Sequence, residues 1–171
     1  MDLVVTHEND HWTARWAGES HPCAVGRSGV IAGAQKREGD GASPAGAWTM
    51  RRLLYRADRL PQPETGLPLA AIAEDDGWCD DPQDSAYNQA VQLPHAASHE
   101  RLWRDDEIYD LIVVLGHNDA PVRPGLGSAV FLHCARPDFT PTEGCVALQQ
   151  QTLLRLLADA KPGDRVVIEE N

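Results

Sequence analysis

Hydrophobic and polar residues alternate near the N-terminus in the way that is typical of paired β-strands. Leu3-Val4-Val5-Thr6 and Trp12-Thr13-Ala14-Arg15-Trp16 flank the polar segment Glu8-Asn9-Asp10. Alternation with a period of two places every second side chain on one face of a sheet. The pattern therefore predicts a β-hairpin with both tryptophans and the alanine on the same face.

The sequence pattern predicts further short strands over most of the rest of the chain. Residues 109–116 form a nearly continuous apolar run of strand length, which predicts a central strand buried on both faces. Residues 95–103 are predicted as a helical turn or a loop, and prolines exclude regular structure over most of 55–69. The other predicted strands lie at residues 23–26, 29–33, 48–54, 128–132 and 165–168.

One segment near the C-terminus has helical spacing. Leu153, Leu156, Leu157 and Ala160 recur at the interval of a helix face within residues 149–160, and Lys161-Pro162-Gly163 ends the pattern. The chain also has 14 glycines and 12 prolines, which favour many turns and short strands. We therefore expect a single, mainly β, sandwich-like domain over residues 1–171, with one late helix and long loops.

Composition excludes two classes of partner. The net charge of −11 opposes non-specific binding to nucleic acid, because phosphates would be repelled. No apolar run is long enough to cross a bilayer. Residues 1–8 lack the basic and apolar regions of a secretory signal, so no signal peptide is visible in this chain.

The strongest chemical signal is a histidine followed by a cysteine across one loop. His133 follows the β-prone run 128–132, Pro137 and Pro141 interrupt regular structure, and Cys145 comes 12 residues after the histidine. A neighbouring imidazole can take the thiol proton and so activate the nucleophile. Gly144 allows tight backbone geometry there, where amide groups can face a developing oxyanion.

Two alternatives accompany this interpretation. A lone cysteine is often a small buried hydrophobe and not a catalyst. A zinc site made of His133, Cys134 and Cys145 lacks a convincing fourth ligand. If the strand continues, alternation turns Cys134 to the face opposite Cys145. We expect no metal and no cofactor.

Two sequence elements resemble a known family. His133 followed by Thr142-Glu143-Gly144-Cys145-Val146 is similar to the signature of the L,D-transpeptidase (YkuD-type) catalytic domain. Asp40 to Trp48 resembles that family's Thr-Pro-x-Gly-aromatic element, with Ser43 in place of the threonine. The resemblance runs from about Cys23 to the C-terminus.

The resemblance implies a peptidoglycan L,D-transpeptidase. Cys145 would form a thioester with a donor stem peptide, and an amine of an acceptor stem would resolve it into a cross-link. With water as the acceptor, the chain would be an L,D-carboxypeptidase. The other alternative is a peptidoglycan-binding module without catalytic activity. The family also implies the periplasm or cell envelope, peptidoglycan stem peptides as partners, and acylation by carbapenems. We expect a monomer.

The resemblance also implies roles for residues near the nucleophile. The backbone carbonyl of Cys134 would orient the imidazole, and the Gly144 amide would hold the oxyanion. Glu143 replaces the family's usual histidine, and Ala147 replaces a frequent arginine. We expect Thr142 and Glu143 to contact substrate, with Glu143 attracting an ammonium group. Arg136 or Arg123 are candidates to replace the missing arginine.

Other candidate substrate contacts lie upstream. Trp78, Tyr87 and Asn88 are expected to form a substrate wall of flat apolar faces and polar acceptors. His117 ends the predicted central strand and is a candidate contact. Lys36 and Arg37 are expected in a solvated loop, and the acids near residues 75–81 lack the spacing of a calcium loop. Of the four cysteines, Cys23 and Cys79 are expected to be buried and reduced, and a disulfide between these two is the alternative.

Overall fold

The computed structural model describes residues 1–170 and confirms the mainly β architecture with one late helix and long loops. The described chain contains a short 3-10 turn, Gly33–Gln35, and one α-helix, α1 (Gln150–Asp159). The strands are β1 (Asp2–Glu8), β2 (His11–Trp16), β3 (Glu19–Ala24), β4 (Val30–Ala32), β5 (Ser43–Tyr55), β6 (Leu69–Ala71), β7 (Asp76–Cys79), β8 (Ala90–Gln92), β9 (His99–Arg101), β10 (Leu111–Leu115), β11 (Phe131–Cys134), β12 (Val146–Leu148) and β13 (Arg165–Ile168).

Ten strands form one large sheet, and the long strand β5 joins its two ends. Residues 46–49 of β5 pair with β13, while residues 50–55 pair with β10. The order β10-β11-β12-β3-β2-β1-β13-β5 therefore returns to β10. This closed pairing leaves few free backbone edges, which limits association through open strands.

The predicted N-terminal hairpin is confirmed. Val5 lies opposite Ala14 in the β1–β2 pair, and both are fully buried. Asn9 and Asp10 have positive φ values of 49° and 64°, as a tight two-residue hairpin turn requires. Trp16 is buried with them, and Trp12 packs against the same core while remaining partly exposed.

The main core lies inside the large sheet and under α1. Leu153, Leu156 and Leu157 of α1 are fully buried in it, which confirms the predicted leucine stripe. The central strand β10 is buried along its whole length, as its apolar run predicts, and lies between β5 and β11. No helix in residues 1–170 is long and apolar enough to span a membrane.

A second sheet has three strands in the order β8-β7-β9. Its strand β9 corrects the prediction of a helical turn or loop for residues 99–101, whereas residues 95–98 and 102–103 are loop. Trp78 lies opposite Glu100 and Cys79 opposite His99, so this segment satisfies its backbone by pairing with β7. Short polar strands of this kind show no clear alternation, which explains why the pattern missed it.

Candidate active site

The parallel pairing of β11 with β12 brings His133 and Cys145 together. Leu132 lies opposite Val146 and His133 opposite Ala147, so Cys145 lies beside Phe131, one residue before the start of β12. The Phe131 amide donates to the Cys145 sulfur at 3.4 Å. Because side chains alternate along both strands, His133 and Cys145 face the same side.

Cys134 points the other way, as the alternation predicts. Its side chain is buried in the main core, whereas Cys145 belongs to a smaller apolar cluster with Trp78, Tyr109 and Phe131. All four cysteines of the chain are buried free thiols, including Cys23 and Cys79. Cys134 therefore has a packing role through its side chain.

The imidazole of His133 is held in one orientation. Its Nδ1 lies 2.9 Å from the carbonyl oxygen of Cys134. A carbonyl oxygen only accepts, so Nδ1 carries the hydrogen and Nε2 is the basic nitrogen. The ring also meets the Tyr109 ring edge-on at 5.4 Å. Burial lowers the pKa of His133 to about 4, so the ring is neutral at neutral pH.

The thiol of Cys145 is also neutral at rest. It donates to the carbonyl oxygen of Ala129 at 3.2 Å. Burial above all, and then the charge of Glu100, raises the pKa of Cys145 to about 12. The site therefore holds a thiol and a neutral base, not a preformed thiolate and imidazolium. Such a pair transfers its proton when the nucleophile attacks.

Hydroxyl groups fix the turn that carries the nucleophile. Thr142 Oγ1 donates to the carbonyl oxygen of Cys145 at 2.7 Å and accepts the Gly144 amide at 3.1 Å. Gly144 has a φ of +138°, and a Cβ there would lie 2.9 Å from the carbonyl oxygen of Ala42. Only glycine fits this close approach.

Ser43 connects the upstream element to this turn. Its fully buried hydroxyl lies 2.9 Å from the carbonyl oxygen of Gly144 and 3.1 Å from that of Cys145, and it accepts the Gly26 amide at 3.0 Å. The two sequence elements that resemble the L,D-transpeptidase family therefore meet at the nucleophile.

His133 and Cys145 line one cavity of about 440 Å³. Its remaining wall is strongly charged for so small a space. The charged lining residues are Lys36, Glu38, Glu100, Arg104, Arg136 and Glu143. A cavity with both signs of charge suits a ligand that carries ammonium and carboxylate groups.

Lys36 is the main site residue that the sequence did not identify. It was expected in a solvated loop, yet its side chain is buried and its ammonium group pairs with Asp40. Its Nζ lies 3.4 Å from the point that a Cβ on Gly144 would occupy. A polar, glycine-rich segment gives no pattern that would reveal this burial, because the fold of distant residues creates it.

Other charged residues of the cavity pair with residues that do not line it. Glu143 accepts from Arg27 at 2.8 Å and is largely exposed, so its charge is already balanced. Arg136 and Arg104 share Asp106, and Arg104 above all lowers the pKa of that carboxyl to about 2. Arg123 does not line the cavity.

Trp78, Tyr87 and Asn88, expected as a substrate wall, lie behind the cavity. All three are buried and none of them lines it. The Asn88 side-chain oxygen accepts from the indole of Trp78 and from the Ala129 amide, both at 3.0 Å. Trp78 and Asn88 line a separate cavity of about 610 Å³, and Asn88 supports the backbone beside the thiol through the Ala129 amide.

Glu38 and His117 complete the surroundings of the cavity. Glu38 accepts hydrogen bonds from the hydroxyl groups of Tyr87 and Ser128. His117 is buried, bonds through Nε2 to the carbonyl oxygen of Leu126 at 3.0 Å, and does not line the cavity. Burial lowers the pKa of His117.

A cysteine and an oriented histidine in one pocket are the groups that cysteine-dependent acyl-transfer enzymes use. The family profile of the L,D-transpeptidase catalytic domain (YkuD) matches residues 3–168, which is nearly the whole chain. The chain therefore belongs to this family, whose members depend on cysteine and act on peptidoglycan. A comparison with curated proteins finds no significant match.

Proposed function

We propose that this chain is a peptidoglycan L,D-transpeptidase working as one catalytic domain in the periplasm or cell envelope, where its substrate lies. Cys145 is the nucleophile and His133 the general base. The observation that carries the proposal is the β11–β12 register, which places the cysteine and the imidazole on one face of one cavity.

Acylation begins when the Cys145 sulfur attacks the amide carbonyl of a donor stem peptide. The thiol proton moves to Nε2 of His133, which then delivers it to the leaving amine. A carbon–sulfur bond forms and the carbon–nitrogen bond breaks, leaving a thioester. The Cys134 carbonyl keeps Nδ1 protonated during both transfers, because it accepts the Nδ1 hydrogen at 2.9 Å.

Backbone amides stabilise the oxyanion that forms on the attacked carbonyl. The Cys145 amide is the first donor. The Gly144 amide donates to Thr142 Oγ1 at 3.1 Å in the resting site. It can therefore donate to the oxyanion only after this hydrogen bond breaks. Thr142 thus shapes the turn and controls one oxyanion donor.

The acceptor decides the product. A stem-peptide amine that attacks the thioester forms a cross-link, whereas water gives a shortened stem. The cavity supports an amine acceptor, because Glu38 and Glu100 line it and attract an ammonium group. Lys36 in the same wall is paired with Asp40, and its ammonium group also suits a stem carboxylate, the role that an arginine at position 147 would otherwise fill.

The test is mass analysis of muropeptides after incubating defined disaccharide-tetrapeptide with the purified chain and with Cys145→Ala. A dimer that the variant fails to make supports transpeptidation, and its fragmentation identifies the joined positions. A shortened monomer alone shows a carboxypeptidase. Binding without any product, together with no acylation by a carbapenem, shows a binding module and overturns the proposal.

A further inference from the structure

A second group of reactive side chains lies outside the active-site cavity. Cys79 at the end of β7, Asp84 in the following loop and His95 before β9 each offer one donor atom, and the three atoms lie within 4.8 Å of one another. We propose that these residues bind one zinc ion or a similar late first-row divalent cation, which fastens the three-stranded sheet.

The distance between the His95 and Asp84 donor atoms fits a tetrahedral metal. Nε2 of His95 lies 3.6 Å from Oδ2 of Asp84, which exceeds a normal hydrogen bond. Ligands at about 2.0 to 2.3 Å from a tetrahedral zinc ion lie about 3.3 to 3.7 Å apart. The Nε2 atom of His95 is also buried, and it has no hydrogen-bond partner among residues 1–170. A buried polar atom without a partner is costly, and a metal would supply the missing contact.

The loop holds the Asp84 carboxylate toward this point. Oδ1 accepts the Ala86 amide at 2.7 Å, which leaves Oδ2 for His95 and the thiol. The Asp84 backbone is bonded on both sides, since its amide donates to Asp81 at 3.0 Å and its carbonyl accepts from Tyr87 at 3.1 Å. The ligand is therefore positioned before any cation arrives.

Cys79 is equally fixed. Its side chain is fully buried, and its backbone bonds to Asn88 and Gln89 at 2.9 Å each. One sulfur, one nitrogen and one oxygen donor together favour zinc over calcium or magnesium.

The fourth position would be filled by water or, after a side-chain movement, by His99, which lies outside the group of donor atoms within 4.8 Å of one another. His99 lies directly across from Cys79 in the β7–β9 pair, so their side chains share a face. Nδ1 of His99 bonds to the carbonyl oxygen of Ala97 at 2.8 Å, which leaves Nε2 as the unprotonated nitrogen. The side chains of His95 and Asp84 are 21% and 26% exposed, which gives a cation a way in.

A cation here would also support the active site. It would tie together the two ends of the segment from Cys79 to His95, which carries Asn88. Asn88 holds the Ala129 amide at 3.0 Å, and the Ala129 carbonyl accepts the Cys145 thiol. The acidic residues near positions 75–81 are not part of this ligand set.

The test uses chains with Cys145→Ala, so that the active-site thiol cannot hold the metal. Protein stripped with a chelator is loaded with zinc, passed through a desalting column and analysed for bound zinc. We expect about one zinc ion per chain and a raised Tm. His95→Gln should lose the ion, and His11→Gln, an exposed histidine elsewhere, should keep it.

Cobalt gives an independent readout of the ligands. Cobalt-loaded protein should show the near-ultraviolet charge-transfer absorption of a thiolate ligand, and Cys79→Ser should abolish it. His95→Gln keeps the test decisive if the buried Cys79→Ser variant fails to fold. Zinc retained equally by His95→Gln, or no zinc retained by the parent chain, would overturn the proposal.

Discussion

The hydroxyl group of Ser43 lies 3.1 Å from the carbonyl oxygen of Cys145, although 102 residues separate the two in the chain. The same hydroxyl reaches the Gly144 carbonyl and accepts the Gly26 amide. One buried side chain thus joins the start of β5 to the turn that presents the nucleophile. Loss of the Ser43 hydroxyl should therefore slow the reaction, although Ser43 does not line the cavity.

Ser43→Ala should lower turnover and stability together. The substitution leaves the Gly26 amide and the Gly144 carbonyl without a partner in a buried place, which costs about 1–3 kcal/mol. We expect a clear drop in Tm and a fall in the rate of acylation with little change in substrate KM. Ser43→Thr keeps a hydroxyl and should retain most activity. Unchanged acylation in Ser43→Ala would show that the turn needs no such support.

Lys36→Met should slow acylation more than its matched control. The chain has two lysines, and Lys161 is exposed and distant in sequence from both site elements. Lys36 lines the cavity, and its charge lowers the pKa of the Cys145 thiol against the larger effect of burial. Loss of a charge-assisted contact costs about 1.5–3 kcal/mol, equivalent to about 10-fold or more in rate. Lys161→Met should react at the parent rate, and equal rates for both variants would exclude this role.

His133 should make stability depend on pH. Its pKa is lowered from 6.5 to about 4 in the folded chain, so the unfolded chain binds its proton first. The buried neutral imidazole contributes fully to the free energy of unfolding above pH 6.5. This contribution falls by up to about 3 kcal/mol as the pH drops from 6.5 to 4. Denaturant titrations should show a steeper loss over this range for the parent than for His133→Asn. His11→Asn, whose side chain is exposed, serves as the control, and parallel curves for parent and His133→Asn would contradict the buried neutral imidazole.

Local patterns predicted the elements whose neighbours lie close in sequence. The hairpin at residues 2–16, the buried strand 111–115 and the leucine stripe of α1 all have regular spacing, and the structure confirms each of them. The nucleophile turn was also visible, because His133, Gly144 and Cys145 lie within one short segment. Alternation alone predicted that the Cys134 side chain points away from Cys145, and it lies in the main core.

Contacts between distant segments were not predictable from such patterns. The pairing of β5 with both β13 and β10 closes the sheet, and no periodicity in β5 shows where one partner replaces the other. Trp78 and Tyr87 were expected to offer flat apolar faces to a substrate, yet Trp78 packs against Phe131 and the Tyr87 hydroxyl donates to Glu38. Lys36 is buried because segments distant in sequence, at Gly127 and Gly144, lie against it.

Intact-mass analysis of the chain during its reaction with a donor tetrapeptide stem or a carbapenem tests most directly whether Cys145 is the nucleophile. We expect a covalent adduct of one acyl group per chain, which peptide mapping places on Cys145 and which Cys145→Ala cannot form. His133→Asn should form it much more slowly, because no base takes the thiol proton. An adduct on another residue, or product formed by Cys145→Ala, would contradict the assignment of Cys145 as the nucleophile.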